Sequence, residues 1–310
     1  MIKTVVSTAM AIDERLLIKK NILKGGSGKK RLSIVTGTHG DELEGQFVCY
    51  ELARIINDNI EKLDGTVELY PALNPLGIDS ITRGVPNFDL DLNRIFPGNP
   101  QGSFAEATAY AILEDLKGSD MVIDIHSSNI FLREIPQVRI NIDTTETLVP
   151  YAELLNIDFI WVHEAATVLE STLAHSLNSA GTPTLVVEMG VGMRINHGYV
   201  KRLVEGIFNL MNKMGMWSEE VDSSKISKPV LSIGDSVCFL NANASGIFIT
   251  ETYNNTIVEK GEEIGQIVSS LTGEILERIT APKAGLLFTI RAYPVVYEGS
   301  LIARIHVNNL

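Results

Sequence analysis

Two histidines and two glutamates occupy places in the sequence where catalytic metal sites form. His39 and Glu42 follow the apolar run RLSIVTGT, His126 ends the run MVIDIH, and Glu188 ends the run TLVVE. Two imidazoles and one carboxylate are a ligand set that leaves catalytic zinc an open position for water, and such a site needs an additional base. Each residue alone has a simpler explanation: an H-x-x-E pair arises by chance, His126 can be a hydrogen-bonded strand end, and Glu188 can pair with a nearby cation.

The segment ITRGVPNFDLDLNRIFPG, residues 81–98, adds Arg83, Asp91, Asn93 and Arg94. Its prolines and glycines make it too broken for a regular helix. On residue type alone, the two arginines fit a local anion site or a pair of surface salt bridges equally well. A polar group at the end of an apolar strand needs partners when it is buried. The joint placement of this loop with the strand ends therefore favours a functional site.

Alternating strands and helices position these residues. The pattern predicts strands within 31–40, 66–77 and 121–128, and helices within 44–63 and 104–119. It continues through a helix at TLAHSLNSAG, a strand at TPTLVVEMG and a helix at HGYVKRLVEGIFNLMNKMG. This order predicts an α/β fold, with a mostly parallel or mixed sheet and helices on both faces. Sites in such folds form in the loops at the carboxyl ends of the strands.

The chain changes character after the polar stretch at 216–229 and then reads as short strands with glycine turns. ASGIF followed by VEKGEEIGQI resembles AGLLF followed by VYEGSLIARI, a weak repeat similar to the β barrel-sandwich of lipoyl and biotinyl domains. The tip between the halves, SSLTGEILERIT, has no lysine, which excludes a carrier role. We expect a catalytic α/β domain over 1–222 and a β-rich C-terminal domain over 223–310.

Composition narrows the classes of partner. The net charge of −12 over 310 residues, without a basic stripe, disfavours nucleic acid. No apolar run approaches a membrane span, and the N-terminus lacks the pattern of a secretory signal, so we expect a cytoplasmic protein without a membrane partner. Cys49 and Cys238 are too few for a disulfide framework or a thiolate metal cage. The oligomeric state is open, a homo-oligomer included.

Four segments taken in order resemble one protein family. THGDELEG, the block NPLG…TRG…DLDLNRIFPG, DIHSS and GTPTLVVEMG look like the zinc-dependent succinylglutamate desuccinylase and aspartoacylase family, which is related to the zinc carboxypeptidases. The motifs cover residues 31–200, and the β-rich tail also resembles the C-terminal domain of that family. The ordered set is far more specific than any single motif.

The resemblance implies a one-zinc centre at the strand ends. His39, Glu42 and His126 match the zinc ligands of the family. Asp91 matches a carboxylate that orients His39, a partner that metal-bound imidazoles commonly have. Glu188 matches the general base that takes a proton from water and then protonates the leaving nitrogen.

The resemblance also implies how a substrate is held. Arg83 matches the arginine that stabilises the oxyanion, a contribution of about 3 to 4 kcal/mol in comparable sites. Asn93 and Arg94 match the pair that binds a substrate carboxylate, for which a planar guanidinium is suited. Tyr297 falls near a tyrosine that, in the family, reaches the mouth of the substrate site.

The function these residues predict is hydrolysis of the amide bond of an N-acyl amino acid, a small carboxylate-bearing substrate, by zinc-activated water. A metallocarboxypeptidase that acts on a short peptide would use the same groups, and a non-catalytic relative that binds a small anion is a third alternative. Another divalent metal could replace zinc, because histidine and carboxylate ligands accept several. GVPNFDLDL, between Arg83 and Asn93, is longer than expected, so substrate identity does not transfer.

Overall fold

The computed structural model describes residues 1–86, 90–164, 170–234 and 236–307. The N-terminal part contributes eight strands, which are β1 Ile2–Ala9, β2 Arg15–Gly25, β3 Arg31–Thr36, β4 Gly65–Tyr70, β5 Met121–His126, β6 Leu132–Asn141, β7 Phe159–His163 and β8 Thr184–Gly190. The helices in the described ranges are α1 Glu44–Asp58, α2 Pro75–Ser80, α3 Phe104–Leu116, α4 Thr145–Ala152, α5 Leu173–Ser179 and α6 His197–Lys213, besides single 3-10 turns. None of them is long and apolar enough to cross a membrane.

Parallel strands form the centre of the large sheet. β4, β3, β5 and β8 are neighbours in that order and run parallel, while β2 and β6 flank them as antiparallel strands. Every residue of β5 is buried, because helices cover both faces and leave no polar side for solvent. The register places His126 opposite Glu188 at the carboxyl ends of β5 and β8.

The two faces of the sheet have separate cores. Alternate residues of one strand point to opposite faces: Ile34 joins the core under α1 and α6, and the next residue, Val35, joins the core under α3 and α5. Leu52 and Ile207 belong to the first core, and Ile112 to the second. These findings confirm the predicted α/β class with helices on both faces.

The tail supplies nine further strands: β9 Val230–Ile233, β10 Val237–Asn241, β11 Gly246–Ile249, β12 Thr256–Val258, β13 Glu263–Val268, β14 Ile275–Thr280, β15 Gly285–Arg291, β16 Val295–Val296 and β17 Leu301–His306. β14, β13, β11 and β16 form a separate antiparallel sheet, and apart from the 3-10 turn Ser223–Lys225 the regular structure described in the C-terminal part is β, as predicted. β9 and β15 instead extend the large sheet by pairing with β7 and β6. The boundary at 222/223 therefore stays a prediction.

Candidate metal centre and active site

A turn and a strand end bring three ligand-type side chains together. His39 and Glu42 lie between β3 and α1, and His126 ends β5. The turn is compact because Gly40 packs on α2, where a Cβ would fall 2.0 Å from the Gly77 carbonyl carbon. Nδ1 of His39 lies 2.9 Å from Glu42 Oε1, and Nδ1 of His126 lies 2.9 Å from Glu42 Oε2. The ligand atoms all lie within 4.8 Å of one another, and all three residues are buried.

A carboxylate stands behind each imidazole. Nε2 of His39 lies 3.0 Å from Asp91 Oδ1, and Nε2 of His126 lies 3.2 Å from Asp124 Oδ2. At His39 the hydrogen bond to Asp91 fixes Nε2 as the protonated nitrogen, which leaves the Nδ1 lone pair as a donor to a metal. At His126 the carboxylate of Asp124 lies at ion-pair distance only. The two Nδ1 atoms lie 3.3 Å apart and face each other. The donor set therefore fits a metal ion held by two imidazoles and one carboxylate.

The carboxylates in and around this cluster favour the binding of positive charge. Burial works to lower the pKa of His126, yet Asp124 and Glu42 together raise it well above its usual value. Burial works to raise the pKa of Glu42, yet His39 and His126 together lower it well below its usual value. The carboxylates thus favour protonated imidazoles when no other cation is present. The same carboxylates would attract a divalent cation to the cluster.

Glu188 lies near the carboxyl end of β8, beside the metal cluster, and is held by two contacts. Its Oε2 accepts the Ser128 backbone N–H at 2.8 Å, and its Oε1 lies 3.3 Å from Arg139 Nη1. Ser128 reaches this position with a φ of +59°, a conformation that is uncommon for a residue with a side chain. Burial raises the pKa of Glu188, and Arg139 opposes that rise. The result is a fixed carboxylate with increased affinity for a proton.

The 81–98 loop brings its polar residues to the same place. Nη1 of Arg83 donates to Glu42 Oε1 at 2.9 Å, and Nη2 lies 3.5 Å from Asp91 Oδ2. Asn93 is buried and accepts the Leu173 N–H at 2.9 Å through Oδ1, which leaves its Nδ2 as a donor. The segment between Arg83 and Asn93, which is longer than expected, includes residues 87–89, and these lie outside the described residues.

Arg94 is the second arginine of this loop. Its Nη1 donates to the Asn93 carbonyl at 2.8 Å. Within the described ranges no carboxylate lies at ion-pair distance from its guanidinium, unlike that of Arg83. An arginine in this state can bind an anion without first breaking an ion pair to a described carboxylate.

Most of the predicted site residues line one cavity of about 720 Å³. Its lining includes His39, Glu42, Arg83, Asn93, Arg94, His126 and Glu188. Asp91 stands behind His39 rather than in the lining. Tyr297 follows β16, is 70% exposed and is absent from the described lining residues. The structure thus brings together every predicted site residue except Tyr297.

The sequence does not predict an ion-pair network whose arginines also line the cavity. Nη2 of Arg139 lies 2.8 Å from both carboxylate oxygens of Glu134, and Arg304 from β17 donates to the same carboxylate. Both guanidinium carbons lie over the Trp161 ring, at 5.7 and 5.5 Å from its centre. Arg139, Arg304 and Trp161 all line the cavity. The C-terminal part of the chain therefore contributes a cation to the site.

The chain is similar to known proteins in sequence and in fold. The chain is 24% identical over 302 residues, 93% of its length and 85% of the relative's, to N-alpha-acetyl-L-2,4-diaminobutyric acid deacetylase of Halomonas elongata. The product-bound ectoine utilization protein EutE (DoeB) of Ruegeria pomeroyi shares its fold, with a TM-score of 0.82, 22% identity and coverage of 98% and 93% of the two chains. Succinylglutamate desuccinylase/aspartoacylase of Rhodobacter sphaeroides also shares the fold, with a TM-score of 0.81, 23% identity and coverage of 98% of this chain and 94% of its own.

The match to the family covers more of the chain than the motifs do. Residues 28–214 match the catalytic domain of succinylglutamate desuccinylase/aspartoacylase, which is more than half of the chain and includes every predicted metal ligand. The curated relative is a deacetylase of an N-acyl amino acid, so the comparisons support hydrolase activity on this class of substrate. The chain belongs to the succinylglutamate desuccinylase/aspartoacylase family.

Proposed function

We propose that this protein is a zinc-dependent hydrolase that cleaves the amide bond of an N-acyl amino acid and releases a carboxylate and a free amino acid. The observation that carries the proposal is the convergence of the buried His39, Glu42 and His126 cluster with Glu188 in one cavity. The deacetylase of Halomonas elongata adds support from the substrate side.

His39 Nδ1, a Glu42 oxygen and His126 Nδ1 would hold the zinc ion. Zinc bound by such a set lowers the pKa of a water molecule to about 7 and polarises the substrate carbonyl. Asp91 keeps the His39 imidazole in the tautomer that the ligand role requires, and Asp124 places negative charge beside Nε2 of His126.

Glu188 takes a proton from the attacking water and passes it to the leaving nitrogen. The raised pKa suits both steps, because a carboxylate with increased proton affinity is a stronger base and still releases the proton to an amine. The Ser128 N–H and Arg139 hold the two oxygens of Glu188, so the carboxylate is oriented before substrate enters.

Arg83 and Arg94 divide the binding of substrate charge. Arg83, anchored to Glu42, stabilises the negative charge that develops on the carbonyl oxygen. Arg94 and Nδ2 of Asn93 bind the substrate carboxylate, since the guanidinium has no carboxylate partner in the described residues. Tyr297 stays a prediction that depends on the family resemblance, because its exposed side chain is absent from the described lining.

Metal analysis and a substrate panel test the proposal. We expect about one zinc ion per purified chain, and loss of hydrolysis on chelation that added zinc reverses. N-acetyl-L-2,4-diaminobutyrate, N-acetylaspartate, N-succinylglutamate and unblocked dipeptides form the panel. Turnover of dipeptides alone would overturn the deacylase assignment in favour of a metallocarboxypeptidase. Binding of small carboxylates without metal or turnover would favour a non-catalytic relative.

A further inference from the structure

The active-site cavity continues along β8, away from the metal cluster. Alternate residues of a strand face the same side of a sheet, and Glu188, Val186 and Thr184 all line the cavity. Four residues of strand span about 13 Å, so the cavity extends well past Glu188. The part from Glu188 to Thr184 is the β8 groove. Nothing in the proposed hydrolysis assigns a role to its far end.

Helix α5 forms a second wall of the β8 groove, to which it contributes Ala174 and Asn178. Asn178 joins this wall to β8, because its Nδ2 donates to the Thr184 carbonyl at 3.1 Å and its Oδ1 accepts the Thr184 N–H at 2.8 Å. The other end of α5 begins at Leu173, whose N–H donates to Asn93. The groove therefore runs from the predicted carboxylate-binding pair to Thr184.

The position of the α-carbon of the substrate directs its side chain into this groove. In the proposed function, Arg94 and Asn93 bind the carboxylate of the amino acid, and Glu188 protonates its nitrogen. Both groups are attached to the α-carbon, which must therefore lie between Arg94 and Glu188. The β8 groove begins at the same place, because α5 starts beside Asn93 and β8 carries Glu188. The side chain of the amino acid thus has the groove in front of it.

The groove is apolar at the depth that a large side chain reaches. Val186 is half-buried and lies two residues, about 7 Å, beyond Glu188. Ala174 and Trp161 also line the cavity. A side chain as short as that of alanine or aspartate would leave this depth to water. An aromatic or long alkyl side chain would cover Val186 and Trp161 and remove apolar surface from water.

The charged groups along the groove do not favour a charged side chain. Arg139 and Arg304 are both paired with Glu134, so neither needs a further carboxylate. Their guanidinium groups also lie over the Trp161 ring, which leaves that ring less able to attract another cation. Asp143 lines the cavity as well, but it is exposed and its charge is screened by solvent.

We propose that the substrate is an N-acyl amino acid with an uncharged aromatic or long alkyl side chain, which lies in the β8 groove against Val186 and Trp161. This inference rests on the proposed function, which sets the orientation of the substrate. Val186 is then a specificity-determining residue, because it lies at the depth that separates large side chains from small ones. Derivatives of aspartate and glutamate are expected to be poor substrates.

A panel of substrates with one acyl group tests the side-chain preference. The Nα-acetyl derivatives of L-phenylalanine, L-norleucine, L-alanine, L-aspartate and L-lysine are compared on the full zinc-loaded chain. The phenylalanine or the norleucine derivative is expected to have a kcat/KM more than tenfold above the other three. A highest value for the alanine, aspartate or lysine derivative would overturn this inference and leave the proposed function in place.

Binding of the free amino acids tests the groove without hydrolysis. Isothermal titration of the zinc-loaded chain is expected to show that phenylalanine or norleucine binds more than tenfold tighter than alanine, aspartate or lysine. If no acetyl derivative is hydrolysed, the proposed function fails for that class, whereas this order of binding would still support the groove. Equal binding, or no binding at millimolar concentrations, would overturn the inference.

Substitutions of Val186 locate the side chain. Val186→Phe fills the groove and is expected to lower kcat/KM for the preferred substrate more than tenfold, while the alanine derivative changes less than threefold. Val186→Ala removes only contact area, and it is expected to lower the preference for the large side chain about threefold to tenfold. Val230→Phe, on the exposed strand β9 and in the lining of neither described cavity, is the matched control and is expected to change nothing. An equal loss for every substrate in the Val186→Phe protein, with an unchanged preference in the Val186→Ala protein, would overturn the role of Val186.

Discussion

The two sides of the candidate active-site cavity differ in their balance of carboxylates and cations. The metal side, formed by His39, Glu42 and His126, is surrounded by carboxylates and raises the affinity of its imidazoles for protons. The arginine side, formed by Glu134, Arg139 and Arg304, pairs two guanidinium groups with Glu134 and with Glu188. On the metal side, the carboxylates of Glu42, Asp91 and Asp124 outnumber the guanidinium of Arg83 that pairs with them in the described residues. On the arginine side, two carboxylates balance two guanidinium groups. We therefore expect the first to bind a metal and the second to hold Glu188 in place.

Loss of a metal ligand is the largest change that tests this comparison. His126→Ala is expected to lose zinc and all hydrolysis above background, because Glu42 and His39 alone leave a weak two-ligand site. His175→Ala is the matched control, since His175 lines the same cavity outside the metal cluster and its variant is expected to keep the metal. Metal content by mass spectrometry and turnover are measured together. Zinc retained by the His126→Ala protein would show that the ligand set is wrong.

Glu188 lies where the two sides meet, and its replacement separates chemistry from metal binding. Glu188→Gln is expected to retain zinc and lower kcat by about 10²- to 10⁴-fold, because an amide cannot take up the proton. Asp143→Asn provides the control, as Asp143 lies elsewhere in the lining. A Glu188→Gln protein with normal kcat would refute the base assignment, and one without zinc would move Glu188 into the ligand set.

The two sides also differ in how much of them the sequence predicts. The strands β3, β5 and β8, which lead to His39, His126 and Glu188, are buried on both faces, so they appear as apolar runs with the polar residue at or near the carboxyl end. The strand β6 is different, because charged residues interrupt it and pair only in the folded chain. Its Glu134 contacts Arg304, 170 residues away. No local pattern signals a contact between residues so distant, so the metal side was predictable and the arginine side was not.

A smaller effect is expected when the carboxylate behind a metal-binding histidine is changed. Asp91→Asn is expected to weaken zinc binding by about tenfold to a hundredfold while kcat at saturating zinc changes little, because the amide still occupies the place beside His39 but loses its charge. Asp79→Asn, an exposed change in the preceding α2, is the control. Zinc affinity is measured by competition with a chelator. Unchanged affinity would mean that the position of Asp91 matters and its charge does not.

The smallest expected effect concerns the balance of the arginine side. Arg304→Met removes the cation that shares Glu134 with Arg139, so more of the Glu134 charge acts on Glu188. Glu134 raises the pKa of Glu188, and the variant therefore raises it further. Because Glu188 must be ionised to accept a proton, the acidic limb of kcat/KM should move to higher pH, with a loss at neutral pH of about twofold to tenfold.

The control for this change is Arg278→Met, which removes an exposed arginine paired with Glu263 in the separate β-sheet. Its pH profile is expected to match that of the unchanged protein. A shift of the acidic limb to lower pH in the Arg304→Met protein would contradict the balance described here, because it would mean that Arg304 acts on Glu188 by some route other than Glu134. An unshifted limb with a raised KM would instead place Arg304 in contact with substrate.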